Sequence, residues 1–308
     1  MWKIISGIFL GWSLGANDCA NIFGTGVTTG IVKYRTAILL TAIFVLIGSI
    51  IEGPKCMRIV SNLSRLVPIE AFLCALAAAI TMTILTYFAI PASTSQAIIG
   101  AVIGAGILSG SADFSKLIKI LACWILTPIG GIIFGYLLYY GLKFVFDKTV
   151  PTLTYRNTIY AVGIIVAGCY GAYSLGANNV ANVTGIYVGS GLLSCQMAGF
   201  IGGLSIASGA LTYGKKVMLT VGKGIAPLDP FTALVTVLAE ALTLHLFTQI
   251  GVPVSSSQAV VGAVVGVGIV GGVRTLNPKI LVKIAVGWLM TPFAAGFMAM
   301  IFINVMPA

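Results

Sequence analysis

Two short strings hold most of the polar chemistry in an otherwise apolar chain. SLGANDCAN at 13–21 sets Asn17, Asp18 and Asn21 close together, and PASTSQ at 91–96 puts three hydroxyls and a glutamine behind a proline. Asn17 and Asn21 are spaced i,i+4 and Asp18 and Asn21 i,i+3, so all three serve one helical face. Amide oxygens beside a carboxylate suit a small hard cation; they suit neither a soft metal nor a nucleophilic mechanism. Gly15, Gly24 and Gly26 make local unwinding cheap, which would free carbonyl oxygens as further ligands. The plainer alternative is an interhelical Asn/Asp hydrogen-bond cluster that glues helices together. In PASTSQ, the proline breaks a helix and pushes Ile90 into an extended conformation. Ser93, Thr94 and Ser95 can then cap a new helix starting near Gln96. Such a helix end offers unpaired N–H groups and a partial positive charge, an anion site that needs no arginine. A mere kink with tight packing at Gly100 and Gly104 is the simpler alternative.

Both strings occur twice. SLGANDCAN returns as SLGANNVAN at 174–182, and PASTSQAIIGAVIGAGI at 91–107 as PVSSSQAVVGAVVGVGI at 253–269. WILTPIGG at 124–131 is echoed by WLMTPFAA at 288–295, and VPIEAF at 67–72 by APLDPF at 226–231. The order is the same and the offset nearly constant, so the chain reads as two homologous halves, 1–148 and 157–308, joined by a connecting loop at 149–156. The second copy supplies Asn178, Asn179 and Asn182 for the cation, and Ser255, Ser256, Ser257 and Gln258 for the anion. Asp18 is the single acid of the SLGAN and P-x-S-[TS]-S-Q motif pairs. Cation ligands and anion-binding helix ends in one symmetric set imply cation-coupled anion transport.

These motifs must be positioned by membrane helices. Of 308 residues, 58% are hydrophobic and 8% charged, against about 25% charged in a typical soluble domain. Apolar stretches at 4–14, 36–51, 71–90, 117–142, 157–173, 197–212, 231–250 and 280–303 approach the roughly 20 residues of a membrane span. The reading is an all-α, multi-pass protein of the cell membrane. The first segment belongs to the repeat, so it is retained and is not a signal peptide. Counting passes at 4–29, 36–52, 70–89, a short 96–109 and 116–142 gives five per half, hence two inverted-topology repeats whose broken helices and half-helices meet at a central site. Lys33 and Arg35, with Lys143, Lys148 and Arg156, place their loops inside and both termini outside. The formal charge of +10 sits in loops, where it reports topology and not nucleic-acid binding. A homo-oligomer is compatible with the chain.

Of the remaining acids, Glu52, Glu70 and Asp229 lie at segment ends, where capping or pairing with Lys55, Arg58 or Lys216 accounts for them. Glu240 falls mid-segment, where an acid costs about 2.5–3.5 kcal/mol, and is a candidate further cation or proton site. His245 is i,i+5 from Glu240 and off its face. Trp124 and Trp288, four residues before Pro128 and Pro292, read as packing at a kink. The six cysteines show no metal-ligand or disulfide spacing. With one histidine and no HExxH or GxSxG, the chain offers no catalytic group and no cofactor site, and it reads as a non-enzyme.

GANDCAN and GANNVAN, each followed by P-x-S-[TS]-S-Q, resemble the duplicated signature of the inorganic phosphate transporter (PiT) family, and the likeness spans essentially the whole chain. It is similar to a short member, without the large central hydrophilic loop of animal proteins. Cys19 stands where many members have Val. The resemblance implies a secondary transporter that takes up phosphate with sodium by alternating access, or with protons in some bacterial members. On that reading Thr94, Ser95, Ser256 and Ser257, with Asn21 and Asn182, are phosphate ligands. Asn17, Asp18, Gln96, Asn178, Asn179 and Gln258 are sodium ligands or shared ones, and sodium is the one metal implied. Sulfate, arsenate or a metal–phosphate complex remain alternative cargoes.

Overall fold

The computed structural model describes residues 2–63, 65–88, 90, 92–149, 153–215, 217–219, 228–270 and 276–306. Pro91, Lys216 and residues 150–152 of the connecting loop lie outside the described residues. Among the described residues, a short 3₁₀ turn leads into the α-helices α1 (Ile5–Asn17), α2 (Cys19–Thr28), α3 (Tyr34–Ile51), α4 (Pro54–Ser61), α5 (Pro68–Tyr87), α6 (Thr94–Ser109), α7 (Phe114–Thr149), α8 (Leu153–Gly189), α9 (Cys195–Thr212), α10 (Pro230–Ile250), α11 (Ser256–Val270) and α12 (Pro278–Val305). Helices α3, α5, α7, α8, α9, α10 and α12 are long and apolar enough to cross a bilayer. Helices α1 and α2, of 13 and 10 residues, reach that length only together. Ile125, Leu289, Phe293 and Phe297 are 66–68% exposed, a surface that is stable against lipid and costly against water. The protein is a multi-pass membrane protein.

Helix α1 runs beside α5 in the same direction. Trp2 packs edge-on against Phe72 at 5.1 Å, the Ser13 and Thr83 hydroxyls are 2.8 Å apart, and Asn17 reaches Thr86 at 2.8 Å. Beyond α5 the chain reverses into α6, whose far end returns to where α5 began. There the Asp113 N–H donates to the Leu63 carbonyl at 3.2 Å, and Lys116 Nζ donates to the Asn62 carbonyl at 2.7 Å. Segments 70–89 and 96–109 are thus the two arms of a hairpin that starts and finishes on one side. They are not two of five independent passes, because α6 is too short and its polar N-terminus is held by Asn17 deep in the bundle.

Across the halves, α6 packs along α12 and α11 along α7. Glycine allows both approaches: a Cβ on Gly100 would strike the Pro292 carbonyl, and one on Gly262 the Pro128 carbonyl. Likewise Gly15 lies against the α9 backbone and Gly176 against that of α3. Gly15, Gly24 and Gly26 therefore serve close packing, not unwinding. The break between α1 and α2 is a tightened turn at Asp18, whose φ of −79° and ψ of −34° remain helical. Asn21 N–H there bonds the carbonyl of Asp18, three residues back. The equivalent stretch of α8 is continuous.

Candidate functional site

Asn17 and Asn178 build the site by holding its loops. Asn17 Nδ2 donates to Thr86 Oγ1 at 2.8 Å and to the Ile90 carbonyl at 3.1 Å, while its Oδ1 accepts from Ala92 N–H at 3.1 Å. Asn178 repeats the pattern on Thr248 Oγ1, the Val252 carbonyl and Val254 N–H, at 3.1, 3.1 and 2.7 Å. Each amide substitutes for the helix ladder that the chain lacks between α5 and α6, or between α10 and α11. Both ends of each amide are occupied, so Asn17 and Asn178 act as braces.

The braced loops set the two half-helix ends. Ser93 caps α6, its Oγ accepting from Gln96 N–H at 3.3 Å, and Ser255 does the same for Gln258 N–H at 3.2 Å. Thr94, Ser95, Ser256 and Ser257 therefore lie in the first helical turns, one step beyond the caps, and α6 starts at Thr94 instead of near Gln96. Thr94 Oγ1 donates to Asp18 Oδ2 at 2.8 Å. Asn21 Nδ2 donates to Ser256 Oγ at 3.2 Å, and Ser256 also sits beside the Asp18 carboxylate. Asp18 and Asn21 thus join both half-helix ends, one from each half of the chain. Ser95 pairs with Ser93 at 3.1 Å and Ser257 with Ser255 at 2.9 Å. On α8, Asn182 Nδ2 donates to Asn179 Oδ1 at 2.9 Å.

All of these side chains are at most 5% exposed, and several keep an atom without a partner. Unpaired oxygens remain on Asp18 (Oδ1), Asn21, Asn182, Gln96, Gln258, Thr25 and Glu240 (both oxygens), and an unpaired N–H on Asn179. An unpaired buried polar atom costs about 1–3 kcal/mol. Thr25 was not visible as a candidate in the motif, although its place at i+4 from Asn21 puts it on the same face. Glu240 is fully buried on α10 within electrostatic range of Asp18. The ion pairs found among the described residues, Lys55–Glu52, Lys116–Asp113, Arg156–Asp147 and His245–Glu52, reach neither acid.

Gln96 and Gln258 meet at a cavity of about 800 Å³ beside α6, lined mostly by apolar residues of α6, α7 and α12, including Trp124 and Trp288. The remaining acids are peripheral. Glu52 pairs with Lys55 at 2.9 Å, Glu70 accepts from Val67 N–H at 2.9 Å, and Asp229 caps α10 through Thr232 N–H at 2.8 Å. Gln249 links His245 and Glu52, so His245 turns toward the surface and away from Glu240.

A sequence model of the phosphate transporter family matches residues 14–299. The chain is similar to a Methanocaldococcus jannaschii protein named a phosphate permease, at 30% identity over 95% of this chain and 93% of that one. A Pyrococcus furiosus protein of the same description is 27% identical, with 96% and 93% covered. The Bacillus subtilis sulfate permease CysP is also 27% identical, with 94% and 83% covered. Among solved structures, one described as the sodium-dependent phosphate transporter superposes with a TM-score of 0.84 at 22% identity, covering 98% of this chain and 97% of that one. At that identity the likeness is one of fold. With its duplicated motifs folded into one buried site and the family match running nearly end to end, the chain belongs to the phosphate transporter family.

Proposed function

We propose that this protein is a secondary active transporter that takes up inorganic phosphate together with sodium by alternating access. The observation that carries this reading is the convergence of the two half-helix ends on Asp18, among buried oxygens that lack partners. The helix ends supply N–H groups and the hydroxyls of Thr94, Ser95, Ser256 and Ser257 for a tetrahedral oxyanion. Asp18, Asn21, Asn182, Gln96, Gln258 and Thr25 supply oxygens for sodium, and the free Asn179 N–H suits the anion. Asn21 and Asn182 serve both ions. Among the described residues neither Asp18 nor Glu240 has a basic partner, so a cation must accompany an anion into the site, which is the physical basis of coupling.

In this reading the halves 1–148 and 157–308 are inverted repeats. The hairpin α5–α6 returns to its own side, so it contributes an even number of passes. The α1–α2, α3–α4 and α7 passes make the first half odd. Among the described residues, Lys33, Arg35, Lys143, Lys148, Arg156, Lys215, Lys279 and Lys283 then fall on one side, against Lys3, Arg58, Arg65, Lys116 and Lys119 on the other, with Lys55 at the break between α3 and α4. The richer side is cytoplasmic and both termini are outside.

The test is labelled phosphate uptake into proteoliposomes under an imposed sodium gradient, a proton gradient, or neither. Uptake driven by sodium alone supports the proposal, and uptake driven only by protons replaces it with proton symport. The similarity to a sulfate permease makes another tetrahedral oxyanion the second reading. Uptake of labelled sulfate or arsenate in place of phosphate in the same vesicles separates the two, because hydroxyl and N–H donors can bind all three.

A further inference from the structure

The two repeat-related tryptophans differ in one hydrogen bond. Trp288 Nε1 donates to Ser257 Oγ at 3.1 Å. Trp124, its counterpart, is 8% exposed and its Nε1 has no partner. Ser95 pairs with Ser93 just as its counterpart Ser257 pairs with Ser255. Both indoles line the same cavity as Gln96 and Gln258, which follow those serines directly in the chain. Both tryptophans also sit four residues before a proline inside their helix, Pro128 in α7 and Pro292 in α12. A proline has no N–H to return to the residue four before it, so the backbone carbonyl of each tryptophan lacks its helical donor. Trp288 stands on α12, which packs along α6, yet bonds a serine of α11. Trp124 stands on α7, which packs along α11, in the corresponding place with respect to α6.

The chemistry of the bond is directional. An indole N–H only donates, so the serine oxygen must accept, and its own hydrogen is left for Ser255 Oγ, 2.9 Å away, or for a bound anion. Ser257 is thereby set as a donor. We propose that Trp124 and Trp288 are positioning residues: each indole bonds the serine oxygen of its half-helix and turns that hydroxyl's hydrogen toward the bound oxyanion. The Trp288–Ser257 bond is made in this structure, and the Trp124–Ser95 bond forms when the anion is held between both half-helices. This inference rests on Ser95 and Ser257 being phosphate ligands, as proposed above.

The experiment uses the full-length protein in lipid nanodiscs with ¹⁵N-labelled tryptophan. Its four tryptophans give four indole N–H signals, assigned by replacing each with Phe. Inorganic phosphate is added to saturation in the presence of sodium, and calorimetry on the same samples reports binding. The expected result is a downfield move of the Trp124 signal toward that of Trp288, abolished in Ser95→Ala. Trp288→Phe, which keeps an aromatic ring for packing, should weaken phosphate binding by about three- to tenfold, the range of one neutral hydrogen bond. Phosphate that binds with the Trp124 signal unmoved overturns the inference, as does unchanged affinity in Trp288→Phe. A sample that takes up no phosphate by calorimetry overturns the phosphate reading itself, and the inference with it.

Discussion

Thr94, the first residue of α6, donates its hydroxyl hydrogen to Asp18 at 2.8 Å across 76 residues of chain. The acid of the first motif is therefore tied directly to the half-helix end that follows the second. Asp18→Asn keeps the shape and one oxygen but removes the charge. We expect it to abolish sodium-driven phosphate accumulation while leaving the folded protein intact. The check is phosphate binding across a sodium titration. If sodium strengthens phosphate binding in Asp18→Asn as it does in the wild type, Asp18 is not the coupling charge.

Ser256 joins the same network from the other half, accepting from Asn21 at 3.2 Å beside Asp18. Truncation to Ala removes a hydroxyl proposed to donate to a charged ligand, worth about 1.5–3 kcal/mol. The phosphate dissociation constant of Ser256→Ala should therefore rise by roughly tenfold or more, and Thr94→Ala should behave alike. Equal affinity in both variants, measured calorimetrically, would remove the half-helix ends from the site.

Much of this site was legible in the sequence because polar residues in a membrane chain are few and the duplication doubled each signal. PASTSQ and PVSSSQ announced half-helices, and Asp18 and Glu240 stood out as acids in apolar runs. What escaped the sequence depends on three-dimensional partnership. Asn17 and Asn21 are equivalent in a helical projection, yet one faces the loop backbone and braces it while the other faces Ser256. Glycines that invite unwinding in an isolated helix instead let α1 approach α9, a neighbour that only the fold supplies. A short apolar segment reads alike whether it crosses or doubles back, so the α5–α6 hairpin needed the contact between Asp113 and Leu63.

Asn178 offers a test of the bracing role. Its amide holds the Val252 carbonyl, Val254 N–H and Thr248 hydroxyl. Asn178→Ala leaves two buried backbone groups unpaired, at about 1–3 kcal/mol each. We expect a clearly lowered midpoint of thermal unfolding, with transport lost whatever the sodium concentration. Asn178→Asp retains the acceptor for Val254 but loses the donor, and should be intermediate in stability. A variant Asn178→Ala that melts like the wild type but responds weakly to sodium would instead make Asn178 an ion ligand.

Glu240 is the remaining acid of the interior, fully buried, with neither oxygen paired. Its electrostatic neighbour is Asp18, a like charge. Two carboxylates this deep repel each other, and each has lost its hydration, a penalty of several kcal/mol per ion. The arrangement is stable only if Glu240 takes up a cation or a proton, and the repeat gives it no acidic counterpart near Thr81. Glu240→Gln keeps the volume and removes the need. If the partner is sodium, the ratio of sodium to phosphate taken up by proteoliposomes should fall by one ion per cycle. If it is a proton, the ratio holds but the pH dependence of uptake flattens. Melting in sodium-free buffer should not suffer in either case, because without sodium an unpaired buried acid contributes no stability that its removal could forfeit. Dual-label uptake of sodium and phosphate at several pH values reads both quantities from one preparation. A variant unchanged in ratio and in pH profile would exclude Glu240 from coupling and leave Asp18 as the charge that binds the driving ion.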